Sequence, residues 1–143
     1  VNAGTAELPD FTQKARALLQ DKFAPWVQDL RLEIHSTRPI VVRLVRRAEL
    51  CRIGGILCGQ AIMAAADTAM VLAVAEALGE FVEMATVNMN SSFLAALTDE
   101  DALIGVEITK LGKTIAFGEA RLTGAQSGKL CAQATLVYSL LRR

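Results

Sequence analysis

Asp67 is the side chain most in need of a chemical explanation, because Ala64, Ala65, Ala66, Ala69, Met70 and Val71 surround it within one helical turn on either side. A carboxylate in such apolar company is costly to desolvate. It is therefore a candidate base or nucleophile. The competing structural reading is an Asp hydrogen-bonded to a neighbouring backbone group or hydroxyl. At 100° per residue, Gln60 lies seven positions back on the same helical face, about 10 Å along the axis, in a stripe with Met63, Ala64, Met70, Val71 and Val74. Glu76, nine positions on, points about half a turn away and is not its partner.

Just ahead runs Gly54-Gly55-Ile56-Leu57-Cys58-Gly59-Gln60, a flexible approach that ends in free amide donors at a helix start. Such donors can stabilise a developing oxyanion, although alone they are an ordinary passage from loop to helix. Cys58 could be a thiol activated by the same helix start, but no general base accompanies it locally. His35 stands on the polar face of a strand with no cysteine motif nearby, and reads as a solvated imidazole. Thr86, Asn88, Asn90 and Ser92 alternate with Val87, Met89 and Phe93, a polar face that meets solvent or lines a site. Lys110 and Lys113 flank a turn and could hold a phosphate. Gly112-Lys113-Thr114 is not a phosphate loop, because strand-like Ile115-Ala116-Phe117 follows where a helix is required.

These residues need elements to hold them. Asp10 can cap a helix through Lys22, with Phe11, Ala15, Leu18, Leu19 and Phe23 at helical spacing and Pro25 as its stop. Val27 to Ser36 alternates with period two, and Ile40 to Arg46 follows a Thr37-Arg38-Pro39 turn, which predicts a hairpin. Residues 47 to 57 read as a loop. Gly59 to Leu78 has strong helix formers throughout and Gly79 as its stop. Strands are expected over Val82–Leu94, Ala102–Lys110, Thr114–Thr123 and Leu130–Leu141. One helix that is apolar on every side is expected to be covered on every side, so the pattern predicts an α+β fold with an antiparallel sheet curled around it.

The chain has 143 residues, 52% of them hydrophobic and 21% charged, which suits one domain and argues against disorder. Fifteen Lys and Arg balance fifteen Asp and Glu, so no global positive field exists to gather nucleic acid or an anionic membrane. Three cysteines without a CxxC pair give neither a disulfide framework nor a zinc site. No basic-plus-apolar leader opens the sequence, and the run Ala61–Leu78 reaches spanning length only by including Asp67, Thr68 and Glu76. A cytoplasmic protein is the expectation.

Gly55-Ile56-Leu57-Cys58-Gly59-Gln60 followed by Ala66-Asp67-Thr68-Ala69 resembles the hotdog-fold acyl-CoA thioesterases, specifically the phenylacetate-pathway (PaaI-like) branch. Thr86-Val87-Asn88-Met89-Asn90, the Leu111-Gly112-Lys113-Thr114 turn and Gly128-Lys129-Leu130-Cys131-Ala132 resemble later segments of that family, and the likeness runs from about Val27 to Leu141. The resemblance implies a six-stranded antiparallel sheet wrapped around the long helix, with an extra N-terminal arm and helix over residues 1–25. It also implies a homodimer, often paired again into a tetramer, with sites at the subunit interface. Asp67 would match the acid that attacks the thioester or activates water, Gly59 the amide that polarises its carbonyl, and Thr86 a hydroxyl from the second subunit that helps place the water. Arg52, Cys58, Gln60, Asn90, Lys110 and Lys113 are the expected contacts to an acyl-CoA substrate. No metal or bound cofactor is implied. Many relatives have His-Gly-Gly in place of Cys58-Gly59-Gln60 and Asn in place of Arg52, so two polar groups near the thioester are changed. Hydrolysis of an acyl-CoA to an acid and free CoA is the leading expectation. A non-catalytic acyl-CoA or lipid-binding hotdog protein is the second, and a purely structural interaction module is the third.

Overall fold

The computed structural model describes residues 10–141. Two N-terminal helices, α1 (Thr12–Asp21) and α2 (Pro25–Gln28), precede a hairpin of β1 (Glu33–Thr37) and β2 (Ile40–Leu44). A 3-10 turn, Ala48–Leu50, leads into the short pair β3 (Cys51–Arg52) and β4 (Ile56–Leu57). Then come the long helix α3 (Gly59–Leu78) and four strands, β5 (Glu83–Phe93), β6 (Ala102–Leu111), β7 (Ile115–Gly124) and β8 (Leu130–Leu141). The main sheet has six antiparallel strands in the order β1-β2-β6-β7-β8-β5. This is the hotdog arrangement, a sheet wrapped on one long helix.

Alternation along the strands supplies the concave face. In β7, Ala116, Ala120 and Leu122 point inward and are buried, as do Leu136, Tyr138 and Leu140 in β8, while Glu119, Arg121 and Thr135 face outward. Small residues let the helix come close. A Cβ on Gly118 would lie 2.6 Å from Met70 Sδ, so this glycine is the notch in β7 that receives the helix. From Ala65 to Ala75, α3 is buried except at Asp67, and its length and composition would suit a bilayer although most of it lies inside the fold.

The helix ends at Gly79, whose φ of +79° is left-handed and which has no neighbour within 4 Å of an added Cβ. The cost of a side chain there is purely conformational. Gly79→Ala is therefore expected to destabilise the fold by about 1 kcal/mol, read as a lower Tm with no change in activity.

Two expectations need correction. Pro25 opens α2 instead of merely ending α1, since a first-turn proline has no partner for the N–H it lacks, and the first strand starts at Glu33, beyond Arg31 with its φ of +54°. Nor is α3 covered on every side. Gln60 and Met63 are exposed and Ala64 and Asp67 half-buried, so a stripe at i, i+3, i+4 and i+7 stays open along the first two turns. Met70, Val71 and Val74, which continue the stripe, are buried.

Candidate active site

Asp67 sits where the open stripe of α3 runs under the end of the sheet. Its Oδ1 accepts a hydrogen bond of 2.8 Å from Thr86 Oγ1 on β5 and a second, shorter one from the Tyr138 hydroxyl on β8. The Tyr138 oxygen also lies 2.8 Å from the main-chain carbonyl oxygen of Asp67. No hydrogen bond reaches Oδ2 from the described residues. Thr86 and Tyr138 are register partners on adjacent strands, which is why two residues so far apart in sequence reach one oxygen.

Tyr138 is 2% exposed. Burial pushes its hydroxyl far above the ordinary tyrosine value of 10.0, and the Asp67 charge and the hydrogen bond to it push further. The group is thus a proton donor at every physiological pH. Above pH 10 the unfolded chain gives up this proton and the folded one keeps it, so the contribution to stability is complete below pH 10 and is lost as pH rises past it. Denaturant melts across that range should show a loss of about 1.4 kcal/mol per pH unit that Tyr138→Phe lacks.

A cleft of about 250 Å³ opens in front of Asp67. Its walls include Phe23, Trp26 and Val27 from the α1–α2 region, Phe81 and Met84 beyond α3, and Lys22, whose Nζ lies 5.0 Å from the centre of the Phe81 ring. Trp26 is 62% exposed, a large aromatic surface at the rim.

The start of α3 forms a second hollow of about 320 Å³, lined by Gly59 with Arg52, Ile56, Phe93 and Leu94 among others. Cys58 caps the helix without a side-chain hydrogen bond, and the first amide of this end with an internal partner is Ile62, at 3.2 Å from the Cys58 carbonyl oxygen. The amides of Gly59, Gln60 and Ala61 thus form a donor cluster at the positive end of the helix dipole. A Cβ on Gly59 would lie 3.4 Å from the ring of Phe93, so this exposed ring sits close over the start of the helix.

The other expected contacts fall elsewhere. Gln60 is exposed at the head of the open stripe, and Cys58 is half-buried at the cap. Asn90 lies on the outer face of the sheet, in a depression with Ser92, Glu119, Arg121 and Gln133. The reason is a β-bulge. The register slips between Thr86 and Asn88, so Val87 is an extra residue and the strand's facing reverses. Met84 and Thr86 face the helix, as do Met89, Ser91 and Phe93 beyond the bulge, whereas Asn88, Asn90 and Ser92 turn outward. The expected common polar face of Thr86, Asn88, Asn90 and Ser92 does not exist. Within the chain, Thr86 meets Asp67 directly. Lys110 and Lys113 are exposed at the β6–β7 hairpin. That hairpin hangs from the Asp67 end of the sheet, because Ala116 near its base is the register partner of Tyr138.

Tyr138, Lys22, Trp26 and Phe81 belong to this site and carry no motif. Only the position of Tyr138 as the sole tyrosine, in an otherwise apolar strand, could have drawn notice.

Comparison with known proteins converges on one group. The family model of the thioesterase superfamily matches residues 54–132, which include Gly59, Asp67 and Thr86. A Thermoplasma acidophilum protein provisionally named an esterase is 29% identical over 108 residues, 75% of this chain and 80% of its own. A provisionally named thioesterase from Silicibacter superposes with a TM-score of 0.82 at 27% identity, over 95% of both chains. A hypothetical thioesterase of Streptococcus pneumoniae, solved with coenzyme A, shares the fold at a TM-score of 0.66 and 21% identity, over 73% of this chain and 79% of its own.

Proposed function

The chain belongs to the thioesterase superfamily, and from that premise we propose that it hydrolyses an acyl-CoA thioester to a carboxylic acid and free CoA, with Asp67 as the catalytic carboxylate. The observation that carries this reading is the state of Asp67, a carboxylate fixed by two hydroxyls through one oxygen at the floor of an open cleft. Its second oxygen takes no hydrogen bond from the described residues and is left available to a ligand in that cleft.

The donors of the Gly59 end and the Asp67 carboxylate are eight residues apart, about 12 Å along the helix axis. A thioester carbon must lie about 3–3.5 Å from its attacker, with its oxygen about 3 Å from the stabilising amide. One chain therefore cannot serve one thioester with both. The reading requires two copies, Gly59 from one and Asp67 from its partner. β5 offers the means, being eleven residues long and paired on one edge only. Such an edge is a template for a second strand.

In the reaction the C–S bond breaks, water supplies the oxygen of the new carboxylate, and the thiolate leaves as the CoA thiol after taking a proton. Asp67 either removes the proton from that water or attacks the carbonyl carbon to give an anhydride that water then opens. The Gly59 amide stabilises the oxyanion in both routes. Arg52, Lys110 and Lys113 are the cations suited to the phosphates of CoA, a ligand that accompanies the streptococcal neighbour. The motifs around Gly59 and Asp67 that resemble the phenylacetate-pathway branch, together with the aromatic cleft wall, favour short or aryl acyl groups over long chains.

Release of free thiol from short, medium, long and aryl acyl-CoAs tests the reading. Turnover of at least one class above the background hydrolysis is expected. Saturable binding of the panel without thiol release would replace the enzyme with an acyl-CoA-binding protein, in keeping with Cys58-Gly59-Gln60 where relatives have His-Gly-Gly.

A further inference from the structure

We propose that Tyr138 is a positioning residue of this site, holding Oδ1 of Asp67 together with Thr86 so that Oδ2 is the oxygen presented to the cleft. Its kinetic consequence rests on the thioesterase reading, while the geometry stands apart from it.

Both oxygens of an aspartate are equivalent in solution, and a free side chain exchanges them by rotation about χ2. Here the two hydroxyls come from neighbouring strands, β5 and β8, and converge on one atom. Rotation would break both bonds at once. A hydroxyl bonded to a carboxylate makes a bond roughly twice as strong as a neutral pair, and the buried one sits in low dielectric. The single proton of the Tyr138 hydroxyl is shared between Oδ1 and the Asp67 carbonyl oxygen, so it ties the side chain and the helix backbone at one position. The groups around it leave no rival for this role. Among the described residues, the cleft contains one carboxylate, Asp67, and its one cation is Lys22, on the α1 side. Thr86 and Tyr138 are thus the donors that fix the plane of the carboxylate and leave its other oxygen for substrate. Because the tyrosine proton is retained at every working pH, the arrangement does not switch with conditions.

The test uses the full-length wild type, Tyr138→Phe, which keeps the ring and removes the hydroxyl, and Thr86→Val. With the acyl-CoA that wild type cleaves fastest, Tyr138→Phe is expected to lower kcat by about 10- to 100-fold, the cost of a misoriented reacting group, with KM changed less than about 2-fold. A lost structural contact would lower Tm and leave this split absent. Thr86→Val should act in the same direction, and the double variant should fall by less than the product of the single effects, since both hydroxyls serve one atom. A readout without substrate comes from the single tyrosine of the chain. The hydroxyl proton of Tyr138, observed by NMR, should resonate downfield and move upfield in Asp67→Asn. An unmoved resonance, or a Tyr138→Phe variant with wild-type kcat, overturns the proposal. If no thioester is cleaved by wild type but the resonance moves, the thioesterase reading fails and the positioning of Asp67 holds.

Discussion

Asp67→Asn is expected to lower kcat/KM for thiol release by about 100- to 10,000-fold, the range that removal of a general base or nucleophile commands. Asn keeps the size of the side chain and an oxygen that can still accept from Thr86 and Tyr138. What it loses is the negative charge and the basic lone pair. Tm should therefore stay close to wild type, and circular dichroism of the two proteins should superpose. Turnover within about 10-fold of wild type would remove Asp67 from the chemistry, because the amide cannot replace a carboxylate as base or nucleophile. The comparison should be made at equal folded concentration, on the acyl-CoA that wild type handles best.

The second large effect is a restoration. Gly59→Val should inactivate by driving a side chain into the Phe93 ring and over the helix-start amides. Neither this variant nor Asp67→Asn is expected to turn over alone. In the two-copy arrangement proposed above, however, co-expression would give mixed dimers in which one of the two sites joins an intact Gly59 to an intact Asp67. Random assortment gives heterodimers in half of the population with one good site in two, so activity should return to roughly a quarter of wild type. If both groups served from the same chain, no site in the mixture would be whole and activity would stay at background. Complementation therefore reads the 12 Å argument directly, without a structure of the assembly.

The long helix was legible because no Gly or Pro falls between Gly59 and Gly79, and the helix runs from Gly59 to Leu78 with Gly79 as its cap. The four C-terminal strands were legible from alternation and from the turns at Gly112 and Gly124–Gly128, with ends displaced by about one residue. Asp67 stood out because charge in an apolar run violates the pattern of its own element. Its partners did not, since their signals obey theirs. Tyr138 falls on the inward parity of β8, where a buried aromatic is ordinary, and only the pairing of β8 with β5 brings it to a residue 71 positions away. Phe23, Trp26 and Phe81 come from segments without a motif, and no local rule states that α2 packs beside α3. The open stripe on α3 was hidden for a different reason. Composition reports that a helix is apolar, whereas coverage depends on how far the sheet curls.

Thr86 and Asn90 show the limit of period-two reasoning. Their even separation promises a shared face, and one unmarked valine between them cancels the promise. The slip makes the strand behave like two gears set half a tooth apart on one shaft. Upstream of Val87 the teeth that engage the helix are even-numbered, and downstream they are odd-numbered. Lengthening or shortening β5 beyond the bulge by two residues keeps its engaging parity. Removing Val87 alone would mesh the gears without turning either half over, since Thr86 stays opposite Tyr138 and Asn88 opposite Val137, so the Thr86 hydroxyl is expected to keep its place at the carboxylate while the strand loses its local kink.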